Sequence, residues 1–257
     1  LLNNMLQVTP VRAFTDNYIW LIHSPRDARQ VVAVDPGDAA PVERVLAERQ
    51  LTLSGLLITH HHADHVGGVA ELARRYRVPV YGPAGESIPA MTTALREGER
   101  VHLGQLGVTF EVIDVPGHTA GHIAYHGHGA LFIGDTLFMS GCGRLFEGTP
   151  GQMRRSLRKV AGLPPDTLVY CAHEYTLANL RFARAVEPDN PDIAARAGEC
   201  AALRAGGMPT VPGTLAAELR TNPFLRVEVP AVIEAAERHA GRPLGADVEV
   251  FAAIRKW

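Results

Sequence analysis

The segment THHHADHVGG, Thr59–Gly68, sets four histidines and one aspartate in the six positions from His60 to His65. Such a cluster arises by accident in roughly one chain in a thousand of this composition. It follows the apolar run Leu56-Leu57-Ile58, which reads as a buried strand, so the imidazoles leave the end of a strand. Alternate residues of an extended backbone point the same way, so His60 and His62 can grip one ion while His61 turns outward. Asp64 and His65 come as the chain turns into a helix start at Gly67-Gly68. They aim elsewhere, which suits a second ion beside the first.

One turn cannot close two coordination spheres, since each needs about four N/O donors with a position left open. Further donors stand where other apolar runs end: His118 in VPGHTAGH, Asp135 in FIGDT and His173 in YCAHEY. A functional loop over a buried scaffold places its polar residues there. The runs NYIWLIH, VVAVDPG, LSGLLITH, PVYGP, VTFEVIDVPGH, ALFIGDT and TLVYCAHE read as strands, with helical spacing over Pro41–Gln50 and Gly68–Tyr76. After Glu174 the pattern changes. TLANLRFARAVEP, NPDIAARAGECAALRAG, TLAAELRT, PAVIEAAERHAG and ADVEVFAAIRKW are rich in Ala, Leu, Glu and Arg, with helix starts at Asn, Thr, Pro and Asp. The expected division is a catalytic domain over 1–174 and a mostly helical domain over 175–257.

Composition narrows the partners. With 257 residues, 46% hydrophobic and 20% charged, the chain is globular, and no apolar run approaches the ~20 residues of a membrane helix. A net charge of -2 offers nucleic acid no bulk attraction. Cys142, Cys171 and Cys200 are odd in number and form no CxxC pair, which points to a reducing, cytoplasmic setting. Cys142 and Cys171 read as packing residues, His122 as a residue that orients a neighbour, and His102, His126, His128 and His239 as surface or core histidines. The opening LLNNMLQVTP carries no export signal, and Met5 is a candidate start. A monomer acting on a small molecule is expected.

Together THHHADHVGG, PGHTAGH, IGDTLF and CAHEYT resemble the metallo-β-lactamase superfamily, which implies an αββα sandwich with metals at its edge. More narrowly, GCGRLFEGTP, HEYTLANLRFARAVEP and PTVPGTLAAELRTNPFLR resemble glyoxalase II, the hydroxyacylglutathione hydrolases. The resemblance implies His60, His62 and His118 on one ion, Asp64, His65 and His173 on the other, and Asp135 bridging. Asp64 and Asp135 are thus the catalytic carboxylates. The ions would be two divalent metals, zinc first, with iron or manganese also suited to N/O ligands.

The implied reaction is attack by a metal-bridging hydroxide on the thioester of an S-(2-hydroxyacyl)glutathione, the second step of methylglyoxal detoxification. A thiol of pKa about 8.5 leaves with little help from a general acid. The family's glutathione site uses a Lys-x-Tyr pair, a tyrosine after the last metal histidine, and an Arg and Lys near the C-terminus. Here Arg144 takes the lysine position and Phe146 the tyrosine position, Tyr175 and Arg255 match, and the last lysine would fall past Trp257. A persulfide dioxygenase, with one iron and oxygen consumption, is the alternative on the same fold. So is another thioester or lactone hydrolase.

Overall fold

The computed structural model describes residues 6–257, so the candidate start Met5 lies outside the described residues. Chain contacts divide it into two units: Leu1–Asp114 with Thr119–Gly134, and Val115–His118 with Asp135–Trp257.

The first unit opens with β1 (Val8–Ala13), β2 (Asn17–His23) and β3 (Gln30–Val34), followed by α1 (Ala39–Glu48), β4 (Thr52–Leu57), α2 (Ala63–Val66), α3 (Val69–Tyr76), β5 (Val80–Pro83) and β6 (Thr93–Leu95). The six strands form one sheet in sequence order, antiparallel through β1-β2-β3 and parallel from β3 to β6. Parallel neighbours need crossovers: α1 lies in that between β3 and β4, α3 in that between β4 and β5, and a loop alone joins β5 to β6. β1 takes the edge, where Pro10, without an N–H, costs the ladder least. All seven residues of β2 are buried. One core joins Val42 and Leu46 of α1 and Val69 and Leu72 of α3 to Val31, Ala33, Leu56 and Ile58. β7 (Arg100–Leu103), β8 (Val108–Asp114), β9 (Ile123–Gly127) and β10 (Ala130–Gly134) follow as antiparallel neighbours in a second sheet.

The second unit contains the hairpin β11 (Leu137–Phe138) and β12 (Gly141–Cys142), α4 (Pro150–Ala161) and β13 (Leu168–Cys171), then α5 (Thr176–Val186), α6 (Pro191–Ala205), β14 (Gly213–Thr214), α7 (Leu215–Thr221), α8 (Pro230–Ala240) and α9 (Asp247–Lys256). β14 pairs antiparallel with β13. Leu180 and Ala183 of α5 pack on Ile193 and Cys200 of α6. The buried Arg154 of α4 reaches Asp247 at 2.8 Å and Glu228 at 3.0 Å.

The strands and C-terminal helices read from sequence all form. Helix α1 starts at Ala39 instead of Pro41, because the Asp38 carboxylate accepts from Ala40 N–H at 3.0 Å and caps it earlier. Five short strands (β1, β6, β7, β9, β14), the single-turn α2, the β11–β12 hairpin and α4 are not anticipated. Helix α4 had a legible signal: Thr149, Pro150 and Gln152 form a capping box with Pro at the first position.

Candidate metal centre

Strand β4 ends at Leu57, and the chain carries Thr59, His60 and His62 out of the sheet before α2 closes one turn around Asp64 and His65. The His60 ring lies 4.8 Å from that of His62 and 4.0 Å from that of His65, centroid to centroid. His122 stacks on His60 at 4.5 Å. His60 and His65 are buried, whereas the Asp64 side chain is 42% exposed and so reachable from solvent. His61 turns away and meets Glu86 Oε2 at 2.9 Å through Nδ1.

The turn at 35–37 holds this motif. A β-carbon on Gly37 would sit 1.8 Å from the Asp64 carbonyl oxygen, so only glycine allows that approach. Asp35, buried and at φ +49°, accepts from the Thr59 N–H at 2.8 Å and the Thr59 hydroxyl at 2.6 Å. The hydroxyl proton is thereby spent on Asp35, so the contact between Thr59 Oγ1 and His60 Nδ1, at 3.0 Å, has the imidazole as donor. His65 Nδ1 donates directly to Asp35 Oδ2 at 3.1 Å. One carboxylate thus sets the Nδ1–H tautomer of both rings and leaves the lone pair of each on Nε2. Asn17 Nδ2 donates to Asp64 Oδ2 at 3.0 Å and orients that carboxylate.

The second unit assembles its own group. His118 Nδ1 donates to the Arg144 carbonyl at 2.8 Å, again leaving the lone pair on Nε2. Asp135 Oδ2 lies 3.4 Å from His118 Nε2 and 3.3 Å from His173 Nε2, so one carboxylate oxygen stands beside two imidazoles. His65 Nε2 faces Asp64 Oδ2 in the same way at 3.4 Å. An imidazole lone pair and a carboxylate oxygen repel at that range unless a positive charge is shared between them. The donor chemistry therefore fits a divalent cation with N/O ligands. Gly143 is required here too, since a β-carbon on it would meet the Asp135 carbonyl oxygen at 1.9 Å.

The residues expected at the substrate surround this group unevenly. Phe146 is 62% exposed with its ring 5.2 Å from His118, and Tyr175 stacks on His173 at 4.7 Å. Arg144 is exposed, its carbonyl serving His118. Arg255 donates to the Cys142 carbonyl at 3.3 Å with its guanidinium over Phe224, 5.3 Å from the ring centre. Burial pushes the Cys142 and Cys171 thiols up to about 12, which leaves them protonated and inert at neutral pH. Sequence reasoning missed Asp35 and Glu86. Asp35 had a signal, being an aspartate closing the apolar run VVAV just as Asp135 closes LFIG. Glu86 had none.

Residues 14–173 match the model of the metallo-beta-lactamase superfamily, and residues 174–257 that of the hydroxyacylglutathione hydrolase C-terminus. The hydroxyacylglutathione hydrolase of Alkalilimnicola ehrlichii is 56% identical over 253 residues, covering 98% of each chain. The chain belongs to the hydroxyacylglutathione hydrolase family of the metallo-beta-lactamase superfamily. Among solved structures, ETHE1 from Myxococcus xanthus matches 97% of this chain and 89% of its own, at 27% identity and a TM-score of 0.67. TTHA1623 in a di-iron-bound form matches 84% of this chain and 100% of its own, at 27% identity and a TM-score of 0.60. The expected metallo-β-lactamase fold with a helical C-terminal region is therefore the fold of this chain, and divalent metal binding comes with the superfamily. Among the described residues no helix is long and apolar enough to cross a membrane.

Proposed function

We propose that the chain hydrolyses the thioester of S-(2-hydroxyacyl)glutathione, with S-D-lactoylglutathione as the reference substrate, to glutathione and a 2-hydroxy acid. The observation that carries this reading is relatedness over 98% of both chains, helical region included. The metal motif alone would reach only the superfamily.

The ligand assignment is part of the proposal: His60, His62 and His118 hold one cation, Asp64, His65 and His173 the other, and Asp135 bridges. The support is the Nδ1–H pattern of His60, His65 and His118 and the place of Asp135 Oδ2 beside two imidazoles. Zinc is the first expectation, with iron or manganese as alternatives. When bound, two cations lower the pKa of a shared water and draw charge from a carbonyl oxygen. The protein's own residues do the rest. Asp35 keeps the imidazoles in the ligating tautomer, Asn17 aims Asp64, and the Arg144 carbonyl aims His118. No acid is needed for a thiolate leaving group.

Residues 1–174 perform the chemistry in this reading, and 175–257 grip the glutathione moiety, with Tyr175 and Arg255 working alongside Arg144 and Phe146. Arg144 keeps the positive charge of the family's lysine, and Phe146 gives up one phenol hydrogen bond. Three buried free cysteines support a reducing, cytoplasmic setting. The test is incubation with S-D-lactoylglutathione and titration of the released thiol, with elemental analysis of the same sample. Thiol release and two metal ions per chain are expected. One iron, no thiol release and oxygen uptake on glutathione persulfide would replace this reading by the dioxygenase.

A further inference from the structure

Glu218 of α7 is fully buried, and burial pushes its carboxyl up to about 7. Keeping an acid there disfavours its charged form, so its contacts are informative. Its Oε2 accepts from the Ser140 backbone N–H at 2.7 Å and from Asn222 Nδ2 at 2.9 Å. The same Asn222 amide donates to the carbonyls of Phe138 at 3.2 Å and Gly141 at 2.9 Å. Asn179 of α5 donates to the Met139 carbonyl at 3.1 Å. Four successive residues, Phe138 to Gly141, thus have a backbone group held by a side chain of α5, of α7 or of the α7 C-cap Asn222.

The held segment is the tip of the β11–β12 hairpin, whose strands have two residues each. A ribbon that short has no stability of its own, and Ser140 sits at φ +57°, a left-handed conformation that costs energy in a non-glycine residue. The hairpin's position nevertheless decides the second-unit ligand group. It leaves Asp135 at one end and reaches Arg144, whose carbonyl orients His118, at the other. Gly143 N–H bonds back to Thr136 at 3.1 Å, and the Phe138 ring packs 5.8 Å from His173 and 5.1 Å from Tyr175.

We infer that Glu218, Asn222 and Asn179 are positioning residues for the metal centre: they clamp the hairpin that sets Asp135, His118 and His173. The helical region then has a second task beside gripping glutathione. This inference rests on the hydrolase reading, but its main readout needs no substrate.

The experiment compares the cobalt(II)-loaded unsubstituted protein with Glu218→Gln, Glu218→Leu and Leu180→Ala. Leu180→Ala loosens the packing of α5 on α6 without removing a side chain that bonds to the hairpin. All are measured well below their melting temperatures for d–d absorption, metal stoichiometry, kcat and KM. A glutamine carbonyl still accepts from Ser140 and Asn222, so Glu218→Gln should keep the spectrum and hold kcat within about threefold. Glu218→Leu leaves the Ser140 N–H buried without an acceptor. It should alter the spectrum and lower kcat by about tenfold or more, with Leu180→Ala unchanged in both. The inference fails if Glu218→Leu keeps the native spectrum and kcat, or if Leu180→Ala changes them as much. If Glu218→Leu does not fold, Asn179→Ala carries the test: an altered spectrum supports the clamp and a native one overturns it. Failure of the unsubstituted protein to cleave S-D-lactoylglutathione would sink the substrate reading and leave the spectral comparison standing.

Discussion

The two units present their candidate ligands by opposite means. In the first, four candidate ligands lie within six residues, and a strand end followed by one helical turn aims them. In the second, His118, Asp135 and His173 are spread over 56 residues (173 − 118 + 1) and meet through long-range contacts to a hairpin too short to stand alone. A local motif carries the spacing of its donors with it and draws on a distant partner, Asp35, to fix their tautomers. A dispersed one depends on side chains that contribute no ligand, here Glu218, Asn222 and Asn179.

The sharpest way to break the comparison is Asp135→Ala. If that carboxylate is shared, turnover should fall by about a thousandfold or more, and both ions should be depleted, since each site then lacks a donor. His173→Ala should loosen mainly one. Metal content in Asp135→Ala equal to that of the unsubstituted protein would remove the bridging role.

Next is Asp35→Asn, which tolerates the positive φ but aims an NH2 group at hydrogens that Asp35 now accepts. Replacing the partner that orients a ligating histidine typically costs 10–100-fold in metal affinity. That loss is expected here in a chelator competition. Native affinity would mean that the contiguous motif holds its tautomers without help.

Arg255→Ala tests the substrate side. A charge-assisted bond to a carboxylate is worth ~1.5–3 kcal/mol, roughly 10–100-fold in affinity. Steady-state kinetics should show KM raised within that range and kcat nearly unchanged, because other side chains hold the hairpin that Arg255 touches through Cys142. A fall in kcat together with metal loss would make Arg255 part of the clamp instead.

The smallest effect concerns stability. Glu218 titrates near 7 when folded and near 4.5 when unfolded, so between those values the folded state binds more protons and stability declines as pH rises. Arg196 opposes the shift through its charge. Glu218→Gln removes this dependence. Its stability relative to the unsubstituted protein should rise between pH 5 and 7 and level off above 8, gaining at most about 3 kcal/mol. Denaturant melts across that range would check it, and a pH-independent difference would show that the carboxyl is not buried in solution.

What the sequence by itself determined is the inventory: which residue types can hold metal, which runs are strands, where the helical region begins, and the family. These are legible because they rest on residue type and short-range periodicity, as in NYIWLIH, where every residue is buried. Only the tertiary structure decided how the inventory is used. Asp35 reaches Thr59 and His65 across 24 and 30 positions, and Glu218 reaches Ser140 across 78. Asp35 closes an apolar run that promised only a strand end, and Glu218 lies in a helix that its neighbours already explained. A hydrogen bond between a side chain and a distant backbone group leaves no period and no spacing in the chain. Only folding, by burying both groups, obliges them to meet.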